Sequence, residues 1–242
     1  MIRAVFLAHS GFLVELPSVT LLFDWWKGDL PPLRPGVPLL VFASHRHEDH
    51  FRPDIFALDD GSRPVWFLLG KDIRLTARNR ARWQLSSQTA EKCLCLAGGQ
   101  QAEPLPGICV ETLPSTDEGV AFLVAADEKT IYHAGDLNWW HWEGEEPAWN
   151  RDMEVRFQRY LEPLRRRHID LAMVPLDPRL GDACGWGLAY FLDLTQTRRV
   201  LPMHQWEDVS PTERFCRDHP ALAPCVVPIT KNGETFIFEK AE

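Results

Sequence analysis

The stretch VFASHRHEDHF, residues 41–51, sets three histidines and two acids inside six residues, directly behind the apolar run 39–43. In an extended segment alternate side chains share one face, so His45, His47 and Asp49 converge where the strand ends, and His50 follows as the chain turns. Imidazole with carboxylate suits zinc, and also iron or manganese, and donors this close in sequence can serve two neighbouring cations. A polar surface loop would account for any one of these histidines. H-x-H-x-D-H behind an apolar strand points instead to metal binding.

Outward from this stretch the chain reads as short strands, at 4–7, 11–16, 21–23, 39–43, 65–69, 108–113, 120–125 and 130–133, then 171–174, 199–201, 226–228 and 235–238. Most are rich in Val, Leu, Ile and Phe and are separated by Gly, Pro, Asp or Ser. Helices are predicted at 53–58, 71–77 and 152–167, the last from the spacing of Met153, Phe157, Tyr160, Leu161 and Leu164. Helices inserted between runs of strands fit two helix-covered sheets better than a doubly wound parallel sheet. At 242 residues and 45% hydrophobic, the chain is expected to bury one core, in a single domain over 1–242. DLPPLRPGVP, residues 29–38, reads as a surface loop, and the runs at 143–146 and 165–167 as solvated faces.

With 34 acids against 26 bases the formal charge is -8, which disfavours a phosphate-tracking groove, so no nucleic-acid partner is expected. No segment approaches the roughly 18 uninterrupted apolar residues that a membrane span needs. The N-terminus lacks the pattern of a secretory signal, and the expected location is the cytoplasm. The six cysteines form no C-x-x-C pair and are expected to be reduced and mostly buried.

His45-Arg46-His47-Glu48-Asp49-His50 resembles the metal-binding motif of the metallo-β-lactamase superfamily. FLAHSGFLVEL with LLFDWW is similar to that fold's opening hairpin region, especially in the branch of ascorbate-6-phosphate lactonase-like proteins. TIYHAGDLNWW resembles the strand that delivers a bridging aspartate, and VLPMHQWED the one that delivers a last histidine. The resemblance spans nearly the whole chain and implies a four-layer αββα sandwich, two mixed sheets covered by helices. It further implies a site at one edge: His45 and His47 on a first metal, Asp49, His50 and His204 on a second, and Asp136 bridging. A carboxylate can bridge because its two oxygens and its charge offset repulsion between cations about 3.5 to 4 Å apart.

One element departs from the family pattern. Where a third histidine is expected after strand 108–113, the chain reads PSTDEGVAF, and no histidine lies between His50 and His133. Ser115, Thr116 or Asp117, with Asp117 the best candidate, or a water must fill the gap, and an oxygen donor favours a harder metal such as manganese. His9 and Asp24, at strand ends, fit a supporting role, hydrogen-bonding a ligand and fixing its orientation. His133, three residues before Asp136, should face elsewhere.

The resemblance implies one or two divalent ions, zinc foremost, and a metal-bound hydroxide that cleaves a small ester, lactone or phosphoester, with Asp49 and Asp136 catalytic through the metals. The alternatives are a nuclease or phosphodiesterase of the same superfamily and a binding protein with a degenerate metal site. Trp25, Trp139, Trp140 and His141 are expected near the metal mouth, where aromatics could line a pocket for a small-molecule substrate. They could equally cap the core or form the interface of a homo-oligomer. Lys27 and Arg179 are candidate anion contacts.

Overall fold

The computed structural model describes residues 1–206 and 208–239. Its first strands are β1 (Ile2–Ala8), β2 (Gly11–Glu15), β3 (Thr20–Phe23), β4 (Leu39–Ala43), β5 (Val65–Gly70) and β6 (Cys93–Leu96). They are followed by β7 (Gln101–Leu105), β8 (Ile108–Pro114), β9 (Val120–Ala126), β10 (Lys129–His133), β11 (His168–Ile169), β12 (Leu171–Pro175), β13 (Gln196–Thr197), β14 (Val200–Met203) and β15 (Thr235–Phe238). The helices are α1 (Ala77–Arg82), α2 (Ser87–Glu91), α3 (Pro147–Leu161), α4 (Trp186–Leu194) and α5 (Ser210–Asp218), with 3-10 turns such as Pro53–Leu58 between them.

Two large sheets result, ordered β15-β1-β2-β3-β4-β5-β6 and β14-β12-β10-β9-β8-β7. Both are mixed. β3 through β6 pair in parallel, as do β10, β12 and β14, while the hairpins β1-β2-β3 and β7-β8-β9-β10 are antiparallel.

Burial explains the apolar runs. In β4 all five residues are buried. Leu40 and Phe42 join the main core, which also holds Val110, Phe122 and Ile131 of the other sheet, whereas Leu39, Val41 and Ala43 pack on the opposite side with Ile55, Phe56 and Leu85. A strand covered on both faces reads as continuous apolar sequence rather than as alternation. The outer face of the second sheet is covered by helices, with Tyr132 of β10 stacked on Phe191 of α4 at 5.0 Å. The layers are therefore helix, sheet, sheet and helix, the sandwich the sequence resembles.

Several boundaries shift. The helix expected at 71–77 begins at Ala77, because Thr76 caps it, its hydroxyl accepting from Asn79 N. The helix expected from 152 starts at Pro147, a residue suited to a first turn, and its α-helical part ends at Leu161. Residues 226–228 form no strand, only a bridge from Val226 to Val200. The cysteines depart from expectation more clearly: all six are free, but Cys184 alone is buried, and Cys95 and Cys109 are exposed. Cys93 and Cys95 lie on β6, an edge strand, where one flank has no neighbouring strand to cover it.

Candidate metal centre

The candidate donors lie in loops that leave the carboxyl ends of strands at one edge of the sandwich. His9 follows β1, the 44–50 loop follows β4, Asp117 follows β8, Asp136 follows β10 and His204 follows β14. Two groups of side chains converge there. His9, Asp49, His50 and His204 form one, and His45, His47, Asp117 and Asp136 the other, the donor atoms of each within 4.8 Å of one another.

Asp136 joins the two groups. Its Oδ1 lies 3.2 Å from His50 Nε2 and 3.5 Å from His204 Nε2, whereas its Oδ2 lies 3.7 Å from His45 Nε2. One oxygen thus faces each group. Asp49 Oδ2 is 3.4 Å from His9 Nε2 and 3.9 Å from His50 Nε2, and Asp117 Oδ2 is 3.7 Å from His47 Nδ1.

The tautomers follow from what stands behind the rings. Asp24 is fully buried, and its carboxylate accepts from Ser44 N at 2.7 Å, from Ser44 Oγ at 2.6 Å and from His50 Nδ1 at 2.7 Å. Having given its one proton to Asp24, the Ser44 hydroxyl can only accept from His45 Nδ1, 3.0 Å away. Asp24 therefore sets His50 directly and His45 through Ser44. Asp177, also fully buried, accepts from His204 Nδ1 at 2.9 Å. In all three histidines Nδ1 is held as a donor, which leaves Nε2 as the nitrogen that faces the cluster and that a metal would take, displacing any proton on it.

Electrostatics follow the same geometry. Burial alone would lower the pKa of His204, but Asp136 and Asp177 outweigh it and push the group up to about 10. Burial likewise works against ionised Asp177, yet hydrogen bonds from His204 and Arg179 bring it down to about 2. Asp136 is held well below the ordinary carboxylate range, its burial overcome by His50, His204 and His45. Burial lowers His9 and His45, and burial followed by the charge of Asp136 raises Asp117.

Buried His9 Nε2, His50 Nε2 and Asp136 Oδ1 have no hydrogen-bond partner among the described residues. Orphaned buried donors and acceptors are costly unless something satisfies them. Imidazole nitrogens and carboxylate oxygens converging on the same small volume are the donor set a divalent cation takes, so the residues present fit a metal.

The backbone is strained at the same place. His9, Asp24, His204 and Trp206 all adopt positive φ, at 55°, 42°, 63° and 58°. Gly119 and Gly135, with φ of 71° and 51°, let two neighbouring loops press against Ser44, where a Cβ would come within 2.0 Å and 2.7 Å of its atoms.

The residues singled out in the sequence are not all brought together. His45, His47, Asp49, His50, Asp136 and His204 meet, and Asp117 stands in the gap left by the missing histidine. Thr116 does not fill it, because its hydroxyl donates to Asn138 O, and Ser115 Oγ accepts from Asp117 N. His9 sits within the cluster itself, whereas Asp24 stands behind it, accepting from His50 Nδ1 and from Ser44. His133 faces the core, stacked on Phe23, with Nε2 donating to Ser10 O. Asp177 and Ser44 were missed, although Asp177 comes just after an apolar strand, the context that makes Asp24 visible.

A cavity of about 400 Å³ opens over the cluster, lined by Asp49, Asp117, Asp136 and His204 and walled by Trp140, Trp142, Trp149 and Trp206. Of the expected pocket residues only Trp140 is there. Trp139 packs among Phe157, Trp186 and Tyr190, His141 rests on Trp186, and Trp25 lies under Arg52. Arg179 reaches the cavity but is paired with Asp177, and Lys27 lies over Trp26. A second cavity of about 490 Å³, lined by Arg46, Asp72, Arg74 and Arg82, contains none of the clustered donors.

No family model matches the chain. In sequence it is 27% identical over 209 residues to a UPF0173 metal-dependent hydrolase of Pyrobaculum calidifontis, over 81% of this chain and 80% of that one. It is also 27% identical over 234 residues to a UPF0173 metal-dependent hydrolase of Opitutus terrae, over 84% of each. Among solved structures, Igni18, a metallo hydrolase from Ignicoccus hospitalis, aligns over 98% of this chain and 99% of its own with a TM-score of 0.60 at 18% identity. The chain is thus similar in sequence to UPF0173 metal-dependent hydrolases over most of its length, and its fold is the one Igni18 has.

Proposed function

We propose that the protein is a metal-dependent hydrolase whose two donor groups hold a pair of divalent cations and whose substrate is a small ester, lactone or phosphoester. The observation that carries this is Asp136, buried, with one oxygen facing each group of imidazoles. His9, Asp49, His50 and His204 would hold one cation, His45, His47 and Asp117 the other, and Asp136 both. The donors are imidazole and carboxylate with no thiolate, which suits zinc, manganese or iron, and the added oxygen of Asp117 shifts the balance towards a harder ion in that group. Divalent metals bound there supply Lewis acidity and lower the pKa of coordinated water from 15.7 towards about 7.

The chain's own residues do the remaining work. Asp24, Ser44 and Asp177 keep the Nε2 atoms of His45, His50 and His204 turned inward. The indoles of Trp140 and Trp142 limit the water reaching the floor of the cavity, which strengthens every electrostatic interaction within it. A volume of about 400 Å³ admits a small molecule rather than a polymer segment, in keeping with a small-molecule hydrolase of the cytoplasm.

Metal analysis of the purified protein, with turnover screens on generic ester, lactone and phosphodiester substrates for the wild type, Asp136→Ala and His204→Ala, tests the reading. Stoichiometric metal with turnover lost in both variants is expected. Absence of bound metal together with absence of turnover under zinc, manganese and iron would defeat it in favour of a binding protein.

A further inference from the structure

The walls of the cavity carry information that its floor does not. Trp140 and Trp142 lie parallel, 4° between planes and 6.1 Å between centroids, and Met153 and Trp149 continue the same wall. Trp206 stands beside the cluster, 5.7 Å from the His204 ring and 4.6 Å from the His9 ring. Trp149 and Trp206 are 37% and 42% exposed, so core burial does not explain them.

The cations of the cavity are already engaged. Arg179 donates to both oxygens of Asp177, and its guanidinium lies 5.5 Å from the Trp142 centroid and 4.7 Å from that of Trp206. Arg156 Nε stands 2.8 Å from Asp152 Oδ2. Meanwhile Asp49, Asp117 and Asp136 face the cavity with Asp24 behind, and these four carboxylates carry as much negative charge as two divalent cations bring positive. The site has aromatic surface in quantity and no net cationic excess to attract a phosphate.

We infer that the substrate presents an uncharged, ring-bearing body to the tryptophan wall and is cleaved at a carbonyl carbon, as an aromatic or cyclic ester or lactone, rather than at phosphorus. This deepens the hydrolase reading and rests on it for the cleavage step. In that step water adds its oxygen to the acyl carbon, the acyl C–O bond breaks, and the leaving oxygen takes a proton, giving a carboxylic acid and an alcohol.

Two measurements test it. In ligand-observed NMR titrations, metal-free protein is mixed with phthalide, a neutral aromatic lactone, for the wild type, Trp149→Ala, Trp206→Ala and the control Trp186→Ala, whose indole is equally exposed but lines no part of this cavity. Each cavity variant should weaken phthalide binding by about three- to tenfold, the scale of one aromatic contact, and the control should not. In the second measurement, protein loaded with zinc, manganese or iron should turn over 1-naphthyl acetate or phthalide faster than phenyl phosphate or bis(4-nitrophenyl) phosphate. Binding that ignores Trp149 and Trp206, or turnover that favours the phosphoesters, would overturn the inference. Tryptophan-dependent phthalide binding without turnover of any substrate would instead defeat the hydrolase reading and leave the ring-binding wall standing.

Discussion

Asp177→Asn is the sharpest probe of how the site is held. The Asp177 carboxylate accepts from His204 Nδ1 at 2.9 Å, and also from Arg179 N at 2.9 Å and Arg179 Nε at 3.0 Å. An asparagine has one accepting oxygen and one donating amide and cannot serve all of these. If its oxygen stays on His204, its NH₂ opposes the N–H groups of Arg179. If its NH₂ turns to His204, Nδ1 must accept and the proton moves to Nε2, the atom a metal would need. Either outcome weakens the metal site without altering a ligand. The expected loss is about 10- to 100-fold in affinity, equivalent to about 1.4 to 2.8 kcal/mol. Titrating the metal-free protein with zinc against a competing chelator measures it, with circular dichroism to verify the fold. Because Asp177 acts through His204, the double variant with His204→Ala should bind no more weakly than His204→Ala alone. Affinity within twofold of wild type, or full additivity in the double variant, would refute the reasoning.

Gly119→Ala should destabilise the protein by about 2 to 5 kcal/mol, adding left-handed backbone strain to a Cβ placed 2.0 Å from Ser44 O. Gly36→Ala, at the same φ of 71° with nothing within 4 Å, should lose only about 1 to 2 kcal/mol, and equal losses in urea unfolding would remove the clash from the explanation. Asp170 is buried, which opposes its charge, but Lys129 Nζ at 2.8 Å and Thr130 N at 3.0 Å hold its pKa below 3.8. Its contribution is therefore present above the unfolded value and lost as pH falls through the folded one. Asp170→Asn should be about 1 to 3 kcal/mol less stable than wild type at neutral pH, with the gap narrowing as pH falls below the unfolded value; a gap that does not narrow in acid would contradict the assignment. Burial pushes the Cys184 thiol up to about 11, so at pH 8 a thiol reagent should modify exposed Cys95 and Cys109 before Cys184, as peptide mass spectrometry would show; early labelling of Cys184 would contradict its burial.

What could be read from the sequence and what could not divide along chain separation. His45, His47, Asp49 and His50 are legible because one strand end brings them together, and i, i+2 spacing needs no knowledge of the rest of the fold. Strand β4 was read to the residue because a doubly buried strand has no polar position to blur its ends. Asp136 and His204 needed the family resemblance, since a turn aspartate and a strand-end histidine are common alone. Asp117 was inferred only from a gap, and the place of His9 inside the cluster depends on β1 and β14 meeting across the two sheets. Helix α4 escaped notice for a related reason: WGLAYFLDL is apolar on nearly every face and shows no 3.6-residue rhythm. The pocket shifted because neighbours in NWWHW point different ways, Trp140 and Trp142 to the cavity and Trp139 to the core, and adjacency cannot tell them apart.

The strained residues suggest why the site is ordered through its scaffold. Left-handed φ at a non-glycine residue costs on the order of 1 kcal/mol or more, and persists only where the surroundings over-determine it. The surroundings do so here: His204 N donates to His9 O at 3.1 Å, joining two left-handed residues that follow strands of different sheets, and Asp24 N donates to Phe42 O at 2.9 Å. The two sheets share one core and the first buries another on its outer face, so the energy that maintains these bends comes from packing remote from the donors. The histidines are thus aimed before any ligand arrives, and their second nitrogens are already fixed by Asp24, Ser44 and Asp177. A donor set positioned in advance spends little of a ligand's binding energy on ordering the protein, which leaves that energy for orienting the substrate.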